Sequence, residues 1–212
     1  TTSEIYGALG YFSEINLQKK TTNSDHLLKP KMLVRYSPGS MRKETSGYRL
    51  DPINAFTLNR LDNINNFETG LNATLGFEYE YKKNKKELDF SVAQIINQKE
   101  NKKMAEKTSL DEKLSDLVGI TSYKLNENIK LNHNFSLDQN YSDLNYNELG
   151  MTLDLNPMKI DFSYLEESKH IGDQQYFKTK IDFLKGEDGL FSFETKRNLI
   201  TNSSEFYNLS YE

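Results

Sequence analysis

Residues 128–165 follow a period of two, and that period limits what the chain can fold into. Ile129, Leu131, His133, Phe135 and Leu137 alternate with Lys130, Asn132, Asn134, Ser136 and Asp138. After a polar connection at 139–145 the pattern resumes, with Leu149, Met151, Leu153 and Leu155 set against Gly150, Thr152, Asp154 and Asn156. The pair Asn156-Pro157 then reverses the chain, since proline has no ladder donor and pushes the residue before it out of the helical region. A third run sets Ile160, Phe162 and Tyr164 against Asp161 and Ser163. Successive strand side chains point to opposite faces, so this pattern puts one face in an apolar medium and the other in water. It predicts three antiparallel strands of a meander.

The same rule predicts strands at 5–17, 26–36, 71–81, 88–98 and 117–125, a hairpin of 176–184 with 190–197, and a last strand from about 204. Pro30 is expected to leave a bulge or an unpaired position in its ladder. That makes about eleven strands in a single unit spanning 1–212, with long connections at about 37–70 and 99–115. Most of the strands have the roughly nine to eleven residues that a tilted strand needs to cross a bilayer. The connections alternate in length. The shorter ones are 19–25, the turn at 82–86, 126–128, Asn156-Pro157 and the turn at 185–189. The longer ones are 37–70, 99–115, 139–145 and 166–175. Short turns at one end and long loops at the other are how outer-membrane barrels are built. The fold predicted is all-β, a segment of an antiparallel transmembrane β-barrel.

Composition agrees. Hydrophobic residues are 36% of 212, too few for a sealed two-layer core, yet 13 Tyr and 12 Phe are too many for a disordered chain. A single-layer barrel needs only every second residue apolar and uses tyrosine at its rims. No run is long and apolar enough for a membrane helix, so insertion must be through strands. A net charge of −4 argues against a nucleic-acid partner. Without Cys there is no disulfide and no thiolate metal site within these residues.

Catalytic chemistry finds no foothold. His26, His133 and His170 are scattered, none at metal-ligand spacing. Glu166 and Glu167 fall in a predicted loop and read as solvated charge. There is no nucleophile elbow and no glycine-rich phosphate loop. The expectation is a non-enzyme without cofactor. The lysines at 82, 83, 85 and 86 read as a solvated turn near a membrane surface, with phosphate or lipid headgroups as the functional alternative. Asn72-Ala73-Thr74, Asn134-Phe135-Ser136 and Asn202-Ser203-Ser204 match a glycosylation pattern by chance in an Asn-rich chain. Glu78, Glu80, Lys82, Lys130, Asp154, Asp161, Lys178, Lys180 and Asp182 form the polar face, read as the hydrated wall of a barrel lumen.

Four segments, in order, resemble the barrel of the LPS-assembly outer-membrane protein family (LptD, also called OstA). The first holds Asn59, Arg60, Glu68 and Gly70, followed by Gly76 in an aromatic strand. The second is the strand with Gln94, and the third runs from Ser115 and Asp116 to Gly119. The fourth is the strand with Glu205, Tyr207 and Asn208. Asn63, Asn65 and Asn66 stand where the family often has Gly, Asp and Arg, and Ala93 stands where Gly is usual.

The resemblance implies a bacterial outer-membrane barrel that passes lipopolysaccharide to the outer leaflet, with the polar face named above as the wall along which the glycolipid headgroup passes. Its implied partners are lipopolysaccharide itself, a plug lipoprotein of the LptE type, the periplasmic Lpt bridge proteins and outer-membrane lipids. It further implies that this chain is a piece of a longer protein, lacking a periplasmic jelly roll and the closing strands that complete a lateral gate. Two other readings of the residues stay open, a general porin and a soluble all-β binding module.

Overall fold

Each alternating run leaves its backbone donors and acceptors to be satisfied by a neighbour, and the neighbour is the next run in the chain. The computed structural model describes residues 6–45, 49–61, 63, 65–169, 172–184 and 189–211. Its strands are β1 (Leu9–Glu14), β2 (Leu17–Lys20), β3 (Asp25–Ser37), β4 (Gly70–Lys83), β5 (Lys86–Asn97) and β6 (Leu117–Lys124). They continue as β7 (Ile129–Leu137), β8 (Leu144–Leu155), β9 (Met158–Glu167), β10 (Gln174–Leu184), β11 (Leu190–Asn198) and β12 (Ser203–Tyr211). All belong to one antiparallel meander in the order β1-β3-β4-β5-β6-β7-β8-β9-β10-β11-β12, with β2 also on β3. The sheet is open, with β1 and β12 at its ends, as an incomplete barrel would be.

The predicted first strand is one strand interrupted. β1 and β2 keep a single register on β3, Glu14 opposite Lys31 and Leu17 opposite Leu28. The break falls opposite Pro30. Ile15 N–H donates to Pro30 O at 3.2 Å, but proline has no N–H to return the bond. β3 itself continues through Pro30, which pairs with Phe77 of β4. Counting β1 and β2 together gives eleven strand positions. The strand also runs on to Lys20, so the turn is 21–24 rather than 19–25, closed by Thr21 N–H to Ser24 O at 2.8 Å.

The other turns at that end are tight as well. Asn84-Lys85 joins β4 to β5 with Asn84 at φ 53°, the left-handed conformation a two-residue hairpin turn requires. Asn156-Pro157 joins β8 to β9. Residues 185–188 of the last predicted turn, with Ile5 and His170, lie outside the described residues. At the opposite end the connections are 38–69, 98–116, 138–143, 168–173 and 199–202. Two of the predicted loops are shorter because their ends are strand: Leu144 and Asn145 belong to β8, and Glu166 and Glu167 to β9.

The registers divide the side chains between two faces. One carries Val34, Leu75, Phe77, Leu131, Leu149, Phe177 and Phe191, all more than a third exposed. Exposed apolar side chains thus recur on this one face from β3 across to β11. The other face is polar at the turn end and covered at the loop end. There the connections 38–69 and 98–116 fold back onto it. Met41, Leu50, Ala55 and Leu61 of the first and Met104 and Leu110 of the second bury themselves on Ala93, Ile95 and Val118 of the sheet.

Candidate functional site

The polar face is the candidate site, and the loop cover splits it in two. A 3-10 turn at Asn54–Phe56 lays the first loop across β4: Ala55 O accepts from the buried Thr74 hydroxyl at 3.0 Å. Beside it, Phe56 rests on Gly76. A Cβ at Gly76 would come within 2.2 Å of Val92 O and 3.1 Å of the Phe56 ring, so this position admits only hydrogen.

Below that contact lies a buried charged node. Arg60 Nε donates to Glu68 Oε2 at 2.6 Å and its Nη2 to Oε1. Arg35 of β3 lies 3.3 Å from the same carboxylate and donates to Glu68 O at 2.6 Å. The amide of Asn72 satisfies both guanidiniums when its oxygen faces them, at 2.9 Å from Arg60 and 3.3 Å from Arg35. Asn59 Oδ1 accepts from Glu68 N–H at 3.1 Å. Both arginines are buried, and among the described residues Arg35 Nε and Arg60 Nη1 find no acceptor, so the node holds more donors than one carboxylate can serve. Gly70, just beyond, takes φ 115° where β4 begins. Asn59, Arg60 and Glu68 of the first motif segment thus meet at one point, with Gly70 two residues farther along the chain.

A second node fixes the other long loop. Ser115 Oγ accepts from Ile95 N–H at 2.9 Å, and Ser115 O accepts from Gln94 Nε2 at 3.0 Å. Asp116 Oδ2 accepts from the Ser136 hydroxyl at 2.8 Å and from Asn145 Nδ2 at 2.7 Å, tying the loop to β7 and β8. Gly119 lies on the apolar face under the Phe135 ring, which a Cβ would meet at 2.3 Å. The two loops also join each other, Glu44 N–H donating to Lys103 O at 2.7 Å. Asn63 and Asn66 both donate to Glu44 Oε2 at 3.2 Å, and Ala93 is a buried member of the core. With Asn65, whose N–H donates to Asn63 Oδ1 at 3.0 Å, these are the positions that depart from the family pattern. In the 138–143 connection the Ser142 N–H first, then the Asp143 N–H, hold the Asp138 carboxyl below the usual carboxylate range.

The turn-end half of the face is open and charged. Glu78 pairs with Lys31 and lies 3.6 Å from Lys29, which reaches Glu80 at 2.6 Å. Lys31 also reaches Glu14 at 3.3 Å. Farther along the sheet Lys178 meets Glu194 at 2.5 Å and Lys180 meets Asp182 at 2.9 Å, while Asp161 lies 3.7 Å from Lys159. Lys130 and Asp154 are exposed on the same face, opposite Thr152 and Lys159. The registers therefore bring Glu78, Glu80, Lys130, Asp154, Asp161, Lys178, Lys180 and Asp182 to one side of one sheet. The fourth motif segment is elsewhere, on the β12 edge. Glu205 pairs with Lys196 at 2.8 Å, Asn208 sits opposite Glu194, and Tyr207 is on the apolar face.

Several residues of the covered half take roles that the sequence alone did not assign to them. Arg35 and Asn72 complete the first node. Glu167, read as solvated loop charge, is instead in β9 and buried, because Arg49 of the first loop reaches it at 2.6 Å. The Arg49 guanidinium also lies 3.8 Å from the centre of the buried Tyr146 ring.

Comparison with curated proteins gives no match. A family model described as LPS transport system D matches residues 8–196, which take in the charged wall, both long loops and the first three motif segments. The chain belongs to this LptD family, whose members are components of lipopolysaccharide transport.

Proposed function

We propose that the sheet is part of the wall of an outer-membrane barrel that inserts lipopolysaccharide into the outer leaflet. The observation that carries this reading is the division of the polar face: charged and open at the turn end, filled by folded loops at the loop end. A glycolipid headgroup fits a charged, hydrated wall, whereas its acyl chains belong in the membrane outside it. A passage closed over at one end suits a cargo that enters from the turn side and leaves sideways through the wall. The protein then contributes a path and not a reaction, and the energy for transport comes from the bridge proteins that deliver the cargo. A plug lipoprotein occupying the lumen is the further partner this reading requires.

The test is surface lipopolysaccharide after depletion of the full-length protein in its own host. Newly made glycolipid is expected to disappear from the surface and accumulate inside, with other barrels still inserting. The solvated charges of mixed sign around Lys178, Lys180, Asp182 and Glu194 also suit a diffusion pore. Normal surface glycolipid with reduced small-solute uptake would favour that second reading and overturn the first. A full-length protein that stays monodisperse without detergent would overturn both.

A further inference from the structure

The turn-end rim of the apolar face carries a feature that neither the polar face nor the loop cover uses. The registers set His26 opposite Tyr81, Tyr81 opposite Leu88 and Leu88 opposite Tyr123, a belt across four neighbouring strands. The His26 and Tyr81 rings are 4.9 Å apart, and His26 Nδ1 lies 2.8 Å from the Tyr79 hydroxyl. Amphipathic rings of this kind sit at the headgroup level of a membrane. One pair farther out on the same face, Lys83 lies directly opposite Lys86.

Like charges facing each other across a ladder repel. Both lysines are exposed, and among the described residues neither has an acidic partner. Their neighbours differ: Lys85 pairs with Glu127 at 3.2 Å and Lys124 with Glu87 at 3.7 Å. Glu87 itself is on the other face, opposite Lys82. Lys83 and Lys86 line an open cavity of about 690 Å³ at this corner together with Tyr81, Tyr123, Asn126 and Lys85, whose charge is already paired with Glu127.

We propose that Lys83 and Lys86 together hold the phosphate of an anionic phospholipid in the leaflet at the turn end, an inference that rests on the apolar face meeting a bilayer. An anion between the two ammonium groups removes their repulsion, and three donors on each can reach its oxygens. The lipid is favoured over dissolved phosphate by what lies inward of the lysines. Tyr81 and Leu88, then Tyr79 and Phe90, form an apolar strip along which acyl chains lie and from which a free ion gains nothing.

The experiment uses the full-length protein in nanodiscs of phosphatidylcholine containing graded phosphatidylglycerol, with native mass spectrometry counting retained lipid. Wild type is expected to retain phosphatidylglycerol selectively. K83Q/K86Q should weaken that retention about thirty-fold, the product of two lysine contacts at an anionic surface. Either single variant should weaken it about fivefold, which keeps the test open should the double variant misfold. K83R/K86R should retain the lipid, and K85Q should behave as wild type. Retention by K83Q/K86Q equal to wild type overturns the proposal, as does displacement of the lipid by millimolar inorganic phosphate. A wild type that enters nanodiscs without preferring phosphatidylglycerol sinks this site alone. One that never enters them sinks the membrane reading, and the site with it.

Discussion

At the loop end of the polar face, Glu68 faces two guanidiniums with almost no water; at the turn end, Glu78 faces two ammonium groups and open solvent. The Glu68 side chain is 5% exposed and the Glu78 side chain 37%. Both carboxylates carry out the same pairing, but burial changes what it does. A buried ion pair contributes little net stability, yet removing one partner strands the others in a medium that cannot solvate them. An exposed pair loses and regains partners at little cost. The difference teaches that the loop end uses charge to fix geometry, while the turn end keeps charge exchangeable, which is what the proposed glycolipid path requires of its wall.

The largest effect that could break this comparison is Glu68→Ala. It leaves Arg35 and Arg60 buried side by side with Asn72 as their remaining shared acceptor, and costs about 3–5 kcal/mol. The expected outcome is detachment of the 38–69 connection, read as new protease cleavage there in the full-length protein while the strands stay resistant. Unchanged cleavage would show that the node does not hold the loop.

Two intermediate effects separate packing from polar satisfaction. Gly76→Ala should cost about 1–3 kcal/mol through overpacking, since its Cβ has a carbonyl oxygen 2.2 Å away. Thermal denaturation of the double variant with Phe56→Ala tells whether the ring or the backbone resists. Recovery of most of the loss assigns it to the ring, and none to Val92 O. Asp116→Ala removes the acceptor of both Ser136 and Asn145, each buried, and should cost about 1–3 kcal/mol. Faster amide exchange in 98–116, with the 38–69 loop unaltered, is the expected reading.

Much of this frame is legible in the sequence, and the part that is not has a physical reason. Alternation over 129–137 and 149–155 marks strands and their two faces, because a pleat enforces period two whatever lies on either side. Alternation does not show what folds back onto a face. One signal for that was present: Val92, Ala93, Ile95 and Ile96 are apolar in both phases, the composition of a strand covered on two sides. Ala93 and Ile95 are where the loops sit. Glu167 gave no such signal. Its partner Arg49 is 118 residues away, and no local rule joins them. Asn72 carries a local pattern, that of glycosylation, which hides its place between two guanidiniums. The turns came out shorter than read, since polar residues such as Lys82, Lys83 and Lys86 are compatible with both a loop and a strand end.

The smallest effect on stability sharpens the comparison most. Glu78→Gln removes the carboxylate shared by Lys31 and Lys29, but Lys31 keeps Glu14 at 3.3 Å and Lys29 keeps Glu80 at 2.6 Å. With water at hand, the loss should be at most about 1 kcal/mol and should shrink further as salt rises. Denaturation midpoints of Glu78→Gln and wild type at low and high ionic strength check this. On the proposed reading the same variant, by adding one unit of positive charge to the open half, strengthens the hold on an anionic headgroup. Surface delivery of newly made lipopolysaccharide should therefore slow, although the fold and the 38–69 latch are untouched. Glu68→Ala should show the reverse balance, a large loss of stability through the latch. If Glu78→Gln instead destabilised the protein as much as Glu68→Ala does, the turn-end charges would be structural. The distinction between the two halves would then fail.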